Sequence, residues 1–302
     1  MGIINVKNKN IYSEIYGETN QKALLYLHGG PGASCLDFRN QAISIGRTHK
    51  VIAIDQYGVL RSEAIPVDEK YGMEIQIDML EQMRIQLNIN QWSLLGHSYG
   101  GMLACLYANK YPDSISSVIY ECPSFNFALS TKSVAQYLYK HFNNTKNLQG
   151  MQFCNEIEKK VYKDNDSTAI NDMSSILCLA SDNKEVRNYL HGITYEQYTA
   201  SYSTEGITND MWSKGEVHFN KLAEDKKIFS NFLPLLAQNK QPALLITGKY
   251  DPACSKEQID YFINNAPNGH IKEFGNSGHF PRIEEAAEYT NCVCDFISTY
   301  AK

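Results

Sequence analysis

The chain has 302 residues, 43% of them apolar, with 28 Lys and Arg against 33 Asp and Glu for a net charge of −5. Its charges are spread along the length with no basic block, which removes the electrostatic basis for a nucleic-acid partner. No apolar run approaches the roughly 18 residues of a membrane span, and the composition suits a soluble globular protein with one large core, or a core carrying a smaller insertion.

The amino-terminal stretch has no basic region followed by a long apolar run, so no secretory signal is expected. Val6 stands where a myristoylation motif needs Ser or Thr. The expected location is therefore cytoplasmic. Cys292 and Cys294 lie two apart, a spacing that fits neither a redox pair nor a zinc site. The eight cysteines are expected to be unpaired, mostly buried thiols.

In chain order, Ile11 to Tyr16 reads as an antiparallel strand or hairpin at a sheet edge. Short apolar runs then alternate with helical patterns. Ala23–Leu27 runs into His28-Gly29-Gly30-Pro31-Gly32, and Val51–Ile54 into Asp55-Gln56-Tyr57-Gly58. Trp92–Leu95 runs into Gly96-His97-Ser98, and Val118–Tyr120 into Glu121-Cys122-Pro123. Each run is closed by turn residues, as strands buried on both faces should be. Between them Met73, Ile77, Leu80, Met83 and Leu87 form one apolar helical stripe. A further helix over Gly101 to Tyr111 should stop before Pro112. Residues 124–240 turn polar and helical in spacing. Strand patterns resume at 243–247 and 271–274, followed by a last helix near 284–300. Alternating strands and helices imply a mostly parallel sheet with helices on both faces. The expected organisation is a catalytic core from 1–123 and 241–302 with a helical, substrate-facing cap from 124–240.

The chemistry centres on Gly96-His97-Ser98-Tyr99-Gly100, a G-x-S-x-G motif between a strand and a helix. In the α/β-hydrolase fold that turn lifts a serine hydroxyl above the sheet edge. A serine hydroxyl is a weak nucleophile and needs a base with an orienting acid. In this fold they follow in the order Ser, Asp, His on loops after later strands, which nominates Asp251 and His279. The oxyanion donors expected are the backbone N–H groups of Tyr99 and Gly30. His28, at a strand end, is read as structural. No cofactor and no metal is called for.

HGGPG, a D-Q-x-G turn and G-H-S-Y-G-G, in that order, resemble the proline iminopeptidase family of α/β-hydrolases. The resemblance covers most of the core and implies the fold, a helical cap and a triad at Ser98, Asp251 and His279. It also implies removal of an amino-terminal residue, usually proline, from peptides, with acidic side chains near the cap holding the ammonium. Met211-Trp212-Ser213-Lys214-Gly215-Glu216 is similar to the family's glutamate-bearing cap motif, so the resemblance makes Glu216 a candidate amine anchor, the alternative being a solvated cap residue. The chain departs from the family at Tyr57 and Leu60, where the D-Q turn has arginine and glycine, and at Pro252, where a glutamate often follows the triad acid. The expected partner is a short-peptide or small-molecule substrate, with no nucleic acid or membrane. The oligomeric state is left open. The same triad serves carboxylesterases, thioesterases and acyltransferases. An inactive small-molecule binding protein is the alternative of another class, against which stands the completeness of the triad.

Overall fold

A computed structural model describes residues 1–19 and 21–301. Eight strands form one sheet: β1 (Gly2–Val6), β2 (Lys9–Tyr16), β3 (Ala23–Leu27), β4 (Lys50–Ile54), β5 (Trp92–His97), β6 (Ile115–Glu121), β7 (Ala243–Gly248) and β8 (Gly269–Phe274), in the order β1-β2-β4-β3-β5-β6-β7-β8. The expected edge element is the hairpin β1–β2: β1 forms the sheet edge, and β2 lies one strand in, antiparallel to both β1 and β4, while every other pairing is parallel. Strands β3, β4, β5 and β7 are buried at every position, which is why they read as unbroken apolar runs.

Helices cover the sheet: α1 (Arg39–Ile45), α2 (Met73–Gln86) and α3 (Tyr99–Lys110) in the first half. The stripe Met73, Ile77, Leu80 and Met83 is the buried face of α2, and α3 ends one residue short of the expected stop. Between β6 and β7 come α4 (Phe127–Thr145), α5 (Leu148–Lys159), α6 (Thr168–Leu179), α7 (Lys184–Arg187), α8 (Tyr195–Ala200), α9 (Asn209–Asp225) and α10 (Leu233–Leu236). The chain then closes with α11 (Lys256–Asn265), α12 (Pro281–Glu284) and α13 (Ala286–Tyr300). Among the described residues, no helix is long and apolar enough to cross a membrane.

The helical insertion meets the core at the loop after β4. Leu36, Val59 and Leu60 are buried there against Tyr202, Ile207 and Met211. Lys214 of α9 donates to the carbonyls of Leu60 and Ser62, each at 2.9 Å. Leu60 occupies the position where the family turn has glycine, and its φ is +41°. Its backbone is left-handed although the residue is branched, a strain of about 1–2 kcal/mol that buried contacts offset. Arg61, four residues after Tyr57, pairs with Asp55 at 2.6 Å and Glu14 at 2.7 Å.

Candidate active site

Strand β5 delivers Ser98 at the head of α3, where its backbone takes φ 53° and ψ −116°. The motif glycines explain why the chain can turn so sharply. A Cβ on Gly96 would lie 2.2 Å from the carbonyl oxygen of Gly100, and one on Gly100 would lie 2.1 Å from that of Leu27. Asp251 follows β7 and His279 follows β8. His279 Nδ1 is 2.9 Å from Asp251 Oδ1, and the aspartate side chain is fully buried. The Asp251 carboxylate also accepts the backbone N–H groups of Ala253 at 2.9 Å and Cys254 at 3.3 Å. That set of donors fixes the carboxylate and leaves the Nδ1 proton on the histidine.

Ser98 and His279 line one cavity of about 360 Å³ together with Gly29 and Gly30. A Cβ on Gly29 would sit 3.1 Å from the Ser98 Cβ, so the loop after β3 lies directly against the serine. Neither the Gly30 nor the Tyr99 N–H donates to a backbone carbonyl among the described residues. Phe127, Ile170, Met173, Leu177 and Phe280 give the cavity an apolar wall. Ser98, Asp251, His279, Gly30 and Tyr99 are thus brought to one place.

Glu216 is not. It lies on the exposed side of α9, whose buried positions are Gly215, His218 and Leu222, and it is absent from the cavity lining. One residue along a helix is a rotation of about 100°, enough to turn a side chain from the buried stripe to solvent. The acid that does line the cavity is Asp37, in the short turn after β3. Its Oδ2 is 2.5 Å from Arg282 Nη2, while its Oδ1 has no hydrogen-bond partner. Arg282 is wholly buried and also bonds Glu121 at 2.9 Å, so two carboxylates share one guanidinium. Burial holds the Glu121 carboxyl above its usual range despite the arginine. Nothing in the sequence pattern near Asp37 announces this placement, because the arginine that half-satisfies it is far along the chain.

Three further histidines are buried and hydrogen-bonded to neighbouring backbone. His28 Nε2 accepts the Gln56 N–H at 3.1 Å, joining the loops after β3 and β4. His97 Nε2 meets the carbonyl oxygen of His279 at 3.0 Å, and His218 Nδ1 that of Tyr57 at 2.8 Å. Burial pulls His28 below its ordinary value, His97 well below it and His218 down to about 3. Each is neutral when folded. Between the folded value and the ordinary 6.5 the unfolded chain binds a proton that the folded chain refuses, so stability falls as pH drops. For His218 alone this is about 2 kcal/mol lost at pH 5 relative to neutral pH. Urea midpoints measured from pH 7.5 to 5 should decline, and less steeply in a His218→Phe variant. A flat wild-type profile would contradict the neutral assignment.

Cys122 Sγ, the Asp251 carboxylate and a His279 ring nitrogen lie within 4.8 Å of one another, the one group of metal-ligand types that converges among the described residues. Asp251 and His279 are already bonded to each other, and the Cys122 thiol donates to the Gly278 carbonyl at 3.8 Å. The cysteines are free, five of them buried.

The profile of the alpha/beta hydrolase fold family matches residues 22–286. The chain belongs to that family. Within the α/β-hydrolases it is proline iminopeptidase-like. It is 27% identical over 277 residues to the proline iminopeptidase of Heyndrickxia coagulans, covering 91% of this chain and 90% of that one. Two solved structures of the same fold are those of a proline iminopeptidase-related protein from Thermus thermophilus and an esterase from Exiguobacterium antarcticum. The first has a TM-score of 0.72 at 16% identity, covering 99% of this chain and 97% of that one. The second has a TM-score of 0.68 at 17% identity, covering 99% and 100%. The α/β-hydrolase chain is a serine hydrolase.

Proposed function

We propose that the enzyme cleaves an amino-terminal prolyl or other aminoacyl amide, or a related small acyl substrate, through an acyl-enzyme. Ser98 Oγ attacks the carbonyl carbon while its proton passes to His279 Nε2, and Asp251 stabilises the imidazolium through Nδ1. The oxyanion that forms is met by the Gly30 and Tyr99 N–H groups, with the amino terminus of α3 behind them. Collapse expels the amine, which takes the proton from His279, and a water activated by the same ring releases the acyl group. The observation that carries this is the convergence on one cavity of an elbow serine and a histidine bonded to a buried carboxylate.

Within this proposal Asp37, with one oxygen unpartnered, takes the place that Glu216 was expected to hold. An ammonium paired with it is worth about 2–5 kcal/mol when the partner is truncated, roughly thirty-fold or more in kcat/KM. Asp37→Asn should lower kcat/KM on aminoacyl amides by that factor and change neutral acetyl esters by less than about threefold. Glu216→Gln should leave both within about twofold. Equal losses on both substrate classes in Asp37→Asn would remove Asp37 from substrate recognition. The apolar wall and the solvent position of Glu216 favour a second reading, hydrolysis of a neutral small ester. Prolyl and alanyl arylamides compared with short acyl nitrophenyl esters separate the two. Cleavage of the arylamide that disappears in Ser98→Ala supports the aminopeptidase. Cleavage of esters alone overturns it in favour of an esterase.

A further inference from the structure

The catalytic histidine loop is tied to the helical insertion through one side chain. Glu284, at the end of α12, folds back so that its carboxylate accepts the N–H groups of Gly278 at 3.0 Å and Phe280 at 3.2 Å, the two neighbours of His279. The same carboxylate accepts His191 N–H and Gly192 N–H, each at 2.9 Å, from the insertion between α7 and α8. The remaining N–H of the loop, that of His279 itself, donates to the Tyr189 carbonyl at 3.0 Å. Three consecutive backbone donors are therefore held by Glu284 or by residues 189–192. Contact is close throughout: a Cβ on Gly278 would fall 2.0 Å from the Tyr189 carbonyl oxygen, and one on Gly192 would fall 2.8 Å from that of Asn276. On the other catalytic loop, the His191 ring stacks on Tyr250, the neighbour of Asp251, with centroids 3.4 Å apart and planes 13° apart.

From this geometry we infer that Glu284 is a positioning residue: it couples docking of residues 189–192 to the orientation of His279 for proton transfer. The inference rests on His279 being the general base of the proposed reaction. An ionised carboxylate is an acceptor only, with two oxygens able to serve four donors. Glutamine keeps one acceptor oxygen and turns an amide NH2 toward N–H groups, so it cannot hold both segments. Aspartate keeps the charge but is one methylene too short to reach both. Misplacing a catalytic group by about 1 Å costs on the order of 100-fold.

The test uses the full-length enzyme and whichever substrate it turns over best, with Glu284→Gln, Glu284→Asp, Gly192→Ala and their combinations. Gly192→Ala crowds the insertion side of the clamp, with its Cβ 2.8 Å from the Asn276 carbonyl oxygen and 3.8 Å from Glu284 Oε2, and leaves the charge and length of the Glu284 side chain unchanged. Each variant is read for kcat and KM separately, for the rate at which a fluorophosphonate labels Ser98, and for the labelled fraction at completion. Glu284→Gln should lower kcat and the labelling rate together by about 100-fold, with KM within about threefold and complete labelling at the end point. Gly192→Ala should show the same signature more weakly. Combined with Glu284→Gln it should add little, because both act on one contact. The inference is overturned by a kcat within twofold of wild type, by a change confined to KM, by a loss matched by an unlabelled fraction, or by fully additive effects. His279→Ala serves as the control that separates the two ideas. If His279→Ala keeps its turnover, the general-base assignment has failed. If it is inactive while Glu284→Gln is normal, only the clamp has failed.

Discussion

Ser98→Ala is expected to lower kcat by about 10⁵- to 10⁶-fold while substrate binding changes little. Alanine removes the atom that forms the covalent bond in the proposed reaction but leaves the elbow intact. The strained backbone at φ 53° is imposed by β5, α3 and the close approach of Gly96 to Gly100, not by the hydroxyl. The His279–Asp251 pair and the Gly30 and Tyr99 N–H groups also remain in place. What persists should therefore be the modest acceleration that oxyanion donors and positioning give without a nucleophile. Thermal stability should stay within a degree or two of wild type, since truncating a small side chain at the cavity surface creates no void in the core. Turnover that survives the substitution on any substrate would show that another group attacks.

Arg282→Met should be the most damaging change to folding among those outside the catalytic set. The guanidinium is fully buried between Glu121 and Asp37, and Tyr289 donates to the second oxygen of Glu121 at 2.9 Å. Removing one partner of a buried ion pair costs about 3–5 kcal/mol, because the remaining charge stays out of water. For a chain of this length that corresponds to a fall in melting temperature on the order of 5–10 °C. The deficit should shrink as pH falls, because a protonated Glu121 carboxyl needs no counter-charge. Adding Glu121→Gln should restore part of the loss at neutral pH. A melting temperature unchanged in Arg282→Met, or no recovery with Glu121→Gln, would mean that the cluster is not held together by charge. Since α12 begins two residues after His279, the variant is also expected to lose activity, and the two losses are separated by assaying well below the melting temperature.

The parts of the fold that were legible in the sequence are those where one constraint dominates. Central strands such as β3 and β5 are buried on both faces, so they spell themselves as apolar runs. The elbow is legible because only glycine survives the backbone approach at positions 96 and 100, and the order of the later strand-end loops then singles out Asp251 and His279. Residues whose importance comes from distant partners left no such trace. Asp37 acquires its place from Arg282, and Glu284 from residues 189–192, both by tertiary contact alone. Glu216 is a different case, since the chain did carry the warning. Gly215, His218 and Leu222 mark the buried stripe of α9 by their spacing, and position 216 falls off it.

The left-handed Leu60 also bears on how this protein's sequence can change over evolutionary time. Its side chain has become a neighbour of Ile207 and Met211, and its carbonyl a landing point for Lys214, all of them within the insertion. Glycine at position 60 would relax the backbone but open a void beneath those residues. A change in them would leave the strained leucine without the contacts that sustain it. The core loop and the insertion are therefore bound to drift together, and substitutions at 60, 207, 211 and 214 should be found in correlated sets rather than singly.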